Sequence, residues 1–162
     1  MPNINLFIWR HAEAEDSSPD MARPLTARGQ RDAARVAKAL AKQLDERACI
    51  VCSPAQRARE TVAPLVARTS LEPAIDPRLA PGGDVDDVLD VLEETIRACS
   101  EDGPTIVLVG HQPWCGQLAR RLLTDGAGDM GFKKASAWWL VRRSRDGGAE
   151  WTMKSVFDPD LV

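Results

Sequence analysis

Residues 105–111 read Thr-Ile-Val-Leu-Val-Gly-His. Ile106 to Val109 is apolar at every position, without the alternation of a half-solvated strand, so this run predicts a strand covered on both faces. Strands of that kind pair in parallel and need helices on either side. Working outward, the same character recurs at Ile4 to Trp9, in a short run at Cys49 to Cys52, and briefly around Ala74 to Asp76. Helical patterns separate these runs. The order strand, helix, strand, helix predicts an α/β protein, three layers deep (α/β/α), with a mostly parallel central sheet.

The helical segments carry their own start signals. Thr26 caps a helix running to about Leu44, with Val36, Ala37, Leu40 and Leu44 at core spacing and Arg31, Arg35, Lys38 and Lys42 on a solvated face. Ser53 and Pro54 read as an N-cap followed by proline at the first helical position, with Gln56 placed for a capping box. That helix runs from Pro54 to about Arg68 and buries Ala58, Val62, Leu65 and Val66. After the turn Pro81-Gly82-Gly83, Asp84 caps a helix to Cys99 with Val88, Leu92 and Ile96 on one face. A further helix spans about Trp114 to Leu123. Ala137 to Arg142 and Glu150 to Phe157 flank Asp146-Gly147-Gly148, which predicts a C-terminal hairpin.

At 162 residues, the length fits one domain covering 1–162, and 44% hydrophobic with 28% charged residues excludes a disordered chain. Lys plus Arg is 21 and Asp plus Glu 24, so 21 − 24 leaves a formal charge of −3, which disfavours nucleic acid as a partner. The apolar runs fall far short of a membrane span, and the N-terminus lacks a basic segment followed by an apolar one; the expectation is a soluble cytoplasmic protein with no membrane partner. Cysteines stand at 49, 52, 99 and 115. In a cytoplasm they are expected to be reduced, buried and inert. Cys49 and Cys52 form a C-x-x-C spacing within a strand, where an odd offset sends the thiols to opposite faces, so neither a thioredoxin-like pair nor a zinc site is expected.

In an open α/β sheet, ligands bind beyond the carboxyl ends of the strands. Three such ends carry reactive residues: Arg10-His11 after the first strand, Ser53-Pro54 and Arg57 after the second, and Gly110-His111 after the fourth. Both histidines of the chain and two arginines are thereby predicted on one face of the sheet. Guanidinium forks match phosphate oxygens, and positive charge beside an imidazole keeps it neutral, with a lone pair available for attack.

The segments Arg10-His11-Ala12, Arg23-Pro24-Leu25-Thr26-x-x-Gly29, Ser53-Pro54-x-x-Arg57-Ala58-x-x-Thr61 and Val109-Gly110-His111-x-Pro113 resemble, in order and spacing, the histidine phosphatase superfamily. The best match is its small SixA-type phosphohistidine phosphatase branch. The resemblance runs from the first strand to about Leu123. It implies a phosphoglycerate mutase-like fold, a nucleophile at His11 that takes the phosphoryl group, phosphate-holding arginines at Arg10 and Arg57, and a second pocket histidine at His111. Arg23 either helps bind phosphate or anchors its loop, and Ser53 either caps the helix or turns its hydroxyl to the phosphate. Family members commonly have glycine where this chain has Ala12, a departure that matters only if the position requires positive φ.

The implied reaction needs no metal and no cofactor, because arginines and a histidine can position the phosphoryl group and stabilise its charge. Larger members of the superfamily supply an acid beyond the third strand, but Asp84 there reads as a helix cap, and Glu13, Glu15 and Asp16 read as solvated loop. A phosphorylated imidazole can leave as neutral imidazole, so a site with weak acid catalysis suits phosphohistidine. Residues 69–84 are too few for a lid, which leaves the crevice open to a side chain on another protein. Trp114 stands either at the rim for that partner or packed on the sheet. The reading is a metal-independent phosphatase acting on a phosphohistidine-bearing protein. Its alternatives are a phosphatase for a small phosphate ester, such as a sugar phosphate or nucleotide, and a non-catalytic phosphate-binding module.

Overall fold

The computed structural model describes residues 3–99 and 102–162. Six strands form one sheet among these residues: β1 (Ile4–Arg10), β2 (Cys49–Cys52), β3 (Ala74–Ile75), β4 (Thr105–Gly110), β5 (Ala137–Arg145) and β6 (Gly148–Phe157). Their spatial order is β3-β2-β4-β1-β5-β6. The first four pair in parallel, while β5 pairs antiparallel with β1 and β6 with β5. The helices are α1 (Ala27–Ala41), α2 (Gln56–Thr69), α3 (Val85–Ala98) and α4 (Trp114–Thr124).

The uninterrupted apolar strands sit in the centre because both faces are covered. Leu6, Ile8, Ile106 and Leu108 point into a core shared with Val88 and Leu92 of α3 and Leu118 of α4. Phe7, Trp9, Val107 and Val109 point the other way, against Val36 and Leu40 of α1 and Val62 and Leu65 of α2. The fold is thus the three-layer α/β/α architecture that the strand character dictates. Asp146 and Gly147 close the β5–β6 hairpin, with Gly147 at positive φ.

The hairpin strands run closer to their turn than expected, β5 on to Arg145 and β6 from Gly148, and three further boundaries differ for local reasons. α1 ends at Ala41, where Gln43 N–H bonds the Leu40 carbonyl in a tightened last turn, so Leu44 packs beyond the helix. β3 stops at Ile75 because Asp76 instead caps the short 3₁₀ turn Pro77–Leu79. α2 begins at Gln56, not Pro54, and Ala55 is its N-cap. The Ser53 hydroxyl accepts the Ala55 N–H at 3.1 Å, which bends the chain before the helix, and no capping box forms.

The cysteines also require a correction. Cys49 and Cys99 are joined in a disulfide, while Cys52 and Cys115 are free and buried. The odd offset does separate the C-x-x-C thiols, since Cys52 lies in the α1/α2 core. It leaves Cys49 on the face crossed by α3, whose C-cap is Cys99. Among the described residues no helix is long and apolar enough to cross a membrane.

Candidate active site

The topology brings the reactive residues together. β1 and β4 are in register with Arg10 opposite Gly110. His11 and His111 therefore leave adjacent strand ends, His11 donating its N–H to the Gly110 carbonyl at 2.9 Å. Their ring centroids are 5.0 Å apart. β2 flanks β4 on the other side, so Ser53 emerges beside them with its N–H on the Val109 carbonyl at 3.0 Å. The first turn of α2 then contributes Arg57, whose side chain is 5% exposed.

The two imidazoles are fixed differently. His11 Nδ1 lies 2.7 Å from the Ala12 carbonyl, which only accepts, so Nδ1 carries the proton and Nε2 keeps a lone pair. His111 Nε2 lies 2.7 Å from Ser53 Oγ. Ser53 Oγ, which accepts from Ala55, gives its own hydrogen to Nε2 in the tautomer that carries the His111 ring proton on Nδ1. Both rings are held neutral. Burial lowers His11 to about 4, with Arg57, Arg10 and Arg23 adding to the effect and the Ala12 hydrogen bond opposing it. Burial, then the neighbouring His11 and Arg57, lowers His111 to about 3.

Each guanidinium is anchored at one side and open at another. Arg10 donates through Nη1 to the Phe132 carbonyl at 2.6 Å. Arg57 donates through Nη1 to the Asp20 carbonyl at 2.8 Å and through Nη2 to Asp20 Oδ2 at 3.2 Å. Arg10 Nε, Arg57 Nε and His111 Nδ1 are buried without a hydrogen-bond partner. Leaving a buried N–H unpaired costs about 1–3 kcal/mol, so three at one site mark it as built for an acceptor brought from outside. A tetrahedral oxyanion supplies such acceptors.

The surrounding shell holds this geometry. Thr61, fully buried, accepts the Ala12 N–H at 3.0 Å and donates to the Arg57 carbonyl at 2.7 Å, tying the loop after β1 to α2. Trp9 Nε1 donates to the Ala135 carbonyl at 2.8 Å, and Ala135 N–H bonds the His11 carbonyl at 3.1 Å. Ala12 is buried and is not among the residues with positive φ, so the glycine common at that position is not needed here. Gly110 is needed, since a Cβ there would run into the Trp114 indole. Trp114 is fully buried and donates to the Leu79 carbonyl at 3.1 Å, which places it under the site and removes it from any rim.

Arg23 anchors its loop, donating through Nε to the Glu15 carbonyl at 2.8 Å and pairing with Asp20 at 3.3 Å. Two of the carboxylates considered as acids are engaged elsewhere: Asp84 caps α3, and Glu13 accepts from Thr26 at 3.0 Å. Asp20 and the carbonyls of residues 132 and 135 were not singled out from the sequence, and Thr61 entered only as a matched position of the motif, with no role attached. Thr61 alone carried a signal, four residues beyond Arg57 and so on the same helix face. A hollow of about 390 Å³ beside Cys49 and Cys99 lies at the amino end of β2, and its Glu72 and Glu94 do not suit a phosphate.

The sequence model of the Histidine phosphatase superfamily (branch 1) matches residues 6–82. The phosphohistidine phosphatase SixA of Escherichia coli K12 is 29% identical over 154 residues, 93% of each chain. An uncharacterized protein of Picosynechococcus sp. is 33% identical over 138 residues, covering 82% of this chain and 81% of its own. Among solved structures, the protein histidine phosphatase SixA complexed with tungstate superposes with a TM-score of 0.80 at 25% identity, over 98% of this chain and 99% of that one.

Proposed function

Because this chain belongs to the histidine phosphatase superfamily, in its SixA-type branch and with its phosphoglycerate mutase-like fold, we propose that it is a phosphatase that dephosphorylates phosphohistidine on a partner protein. The observation that carries the reading is the convergence of one free imidazole lone pair, on His11 Nε2, with three buried N–H groups lacking partners.

The chemistry follows from those groups. A phosphoryl group enters with its oxygens toward Arg10 Nε, Arg57 Nε and His111 Nδ1, which bind it and disperse the charge that builds in the transition state. His11 Nε2 attacks phosphorus as the bond to the substrate nitrogen breaks, and that bond's electron pair returns to the leaving imidazole. The leaving ring already carries a proton on its other nitrogen, so it departs neutral. His11, phosphorylated on Nε2 and protonated on Nδ1, is then a phosphoimidazolium hydrogen-bonded to Ala12. Water attacks it, the phosphorus–nitrogen bond breaks toward His11, and dihydrogen phosphate leaves.

His11 needs no base to deprotonate it, since burial and three arginines already hold it neutral. The SixA relative supports the oxyanion site, because tungstate is a tetrahedral oxyanion. The reading is tested by supplying purified protein with a phosphohistidine-bearing phosphorelay protein and with a panel of sugar phosphates and nucleotides. Faster turnover of the phosphohistidine protein is expected. A clear preference for one small ester would replace this substrate with that ester, and phosphate binding without turnover of any of them would leave only a binding module.

A further inference from the structure

The 3₁₀ turn Asp20–Ala22 packs against α2 and lays one carboxylate over the phosphate-holding arginine. Asp20 takes both terminal nitrogens of Arg57, one on its carbonyl and one on Oδ2, and leaves the buried Nε edge free. Its other oxygen, Oδ1, pairs with Arg23, which is itself held on the Glu15 carbonyl. The Asp20 side chain is 57% exposed over an Arg57 that is 5% exposed, so the carboxylate forms the outer layer of the site above the guanidinium. Its charge is felt at His111, on the floor.

In-line transfer to His11 sends the leaving group away from the nucleophile, and the proposal places its path along the exposed Asp20 carboxylate. We propose that Asp20 is the specificity-determining residue for the leaving group, accepting a hydrogen bond from the far N–H of a departing imidazole and disfavouring a departing alkoxide. The inference rests on the phosphohistidine reading above and deepens it. Partial desolvation works to raise the Asp20 carboxyl, but the hydrogen bonds from Arg23 and Arg57 outweigh it and hold the group below the usual carboxylate range. Asp20 is therefore an acceptor with no proton to give. An imidazole whose far nitrogen is protonated meets it with a donor and leaves neutral. An ester must release negative charge beside a carboxylate unless it finds a proton elsewhere.

The test compares wild type, Asp20→Asn and Asp20→Ala on two probes, phosphoimidazole and p-nitrophenyl phosphate, whose aryl oxide leaves without needing a proton. Both variants alter an exposed side chain, and melting curves are recorded to check that each folds. Loss of one charge-assisted hydrogen bond is expected to lower kcat/KM for phosphoimidazole about 10-fold or more in both variants. The rate on p-nitrophenyl phosphate is expected to hold or rise, so the ratio of the two falls by that factor. Equal losses on both probes would overturn the proposal and make Asp20 only a positioning residue for Arg57. An unchanged ratio with full activity overturns it as well. If wild type cleaves p-nitrophenyl phosphate but neither phosphoimidazole nor a phosphohistidine protein, the substrate reading itself fails and Asp20's role fails with it.

Discussion

The Ala12 carbonyl accepts the Nδ1–H of His11 at 2.7 Å, so the residue following the nucleophile decides which of its nitrogens attacks. His11→Ala is expected to remove the acid-labile phosphoenzyme and to lower turnover by at least about 10³-fold, as loss of a nucleophile does. Pulse labelling with a ³²P-phosphorylated donor and acid quench measures it. A phosphoenzyme persisting in this variant would move the nucleophile to His111, the one other histidine in the chain.

A second prediction concerns protonation. Burial and the surrounding arginines lower His11 to about 4 and His111 to about 3, below the ordinary 6.5. For a group whose folded value is depressed, stability is fully present above the unfolded value and is lost as pH falls. The melting temperature is therefore expected to decline from about pH 6.5 down to about pH 4 through His11 and on to about pH 3 through His111, since the unfolded chain takes up their protons first. Histidine ¹⁵N NMR reads both directly. Neither ring should titrate above pH 5, with the His11 proton on Nδ1 and Nε2 bare. A ring titrating near 6.5 would show that it is open to water and not held by this site.

Thr61 gives the third. Its hydroxyl accepts the Ala12 N–H and donates to the Arg57 carbonyl, so one buried side chain links the nucleophile's loop to the phosphate-holding helix. Thr61→Val keeps the shape and strands the buried Ala12 N–H, a loss of about 1–3 kcal/mol in denaturant unfolding. Turnover is expected to fall with it, because the Ala12 carbonyl orients His11. Thr61→Ser should restore both. A valine variant as stable and active as wild type would show that the link carries neither.

The central strands and both histidines were legible because each depends on short-range information. An unbroken apolar run such as Ile106–Val109 can only be a doubly covered strand, and the residue ending it must emerge at the sheet's carboxyl edge. The antiparallel β5–β6 hairpin was equally readable from Asp146-Gly147. What escaped the reading was contact between distant loops. Nothing local says that Asp20 reaches Arg57 37 residues on, or that the Phe132 carbonyl meets Arg10 122 residues back. Ser53 misled because a serine before proline suits a helix cap, while its hydroxyl is spent on Ala55 and His111. Cys49 and Cys99 misled for a related reason: the two are 50 residues apart, on different elements, and only the crossing of α3 over β2 joins them.

That disulfide supplies the last prediction. Closing a loop of 50 residues restricts the unfolded chain, which chain-entropy reasoning puts at about 4 kcal/mol and measured native disulfides at about 2–5. Cys99→Ser, or reduction of the folded protein, is expected to lower the melting temperature by several degrees to about 15 °C. Activity at 25 °C should persist, because Cys49 lies at the amino end of β2, four residues and about 13 Å along the strand from Ser53. Cys52 and Cys115 serve as internal controls. Burial pushes the Cys52 thiol up to about 12 and raises Cys115 as well, so both stay protonated and slow to react in the native state. Denatured without reductant, the protein should show two thiols; after reduction, four. Four before reduction, or melting indifferent to reductant, would remove the staple and return Cys49 and Cys99 to the reduced state first expected of them.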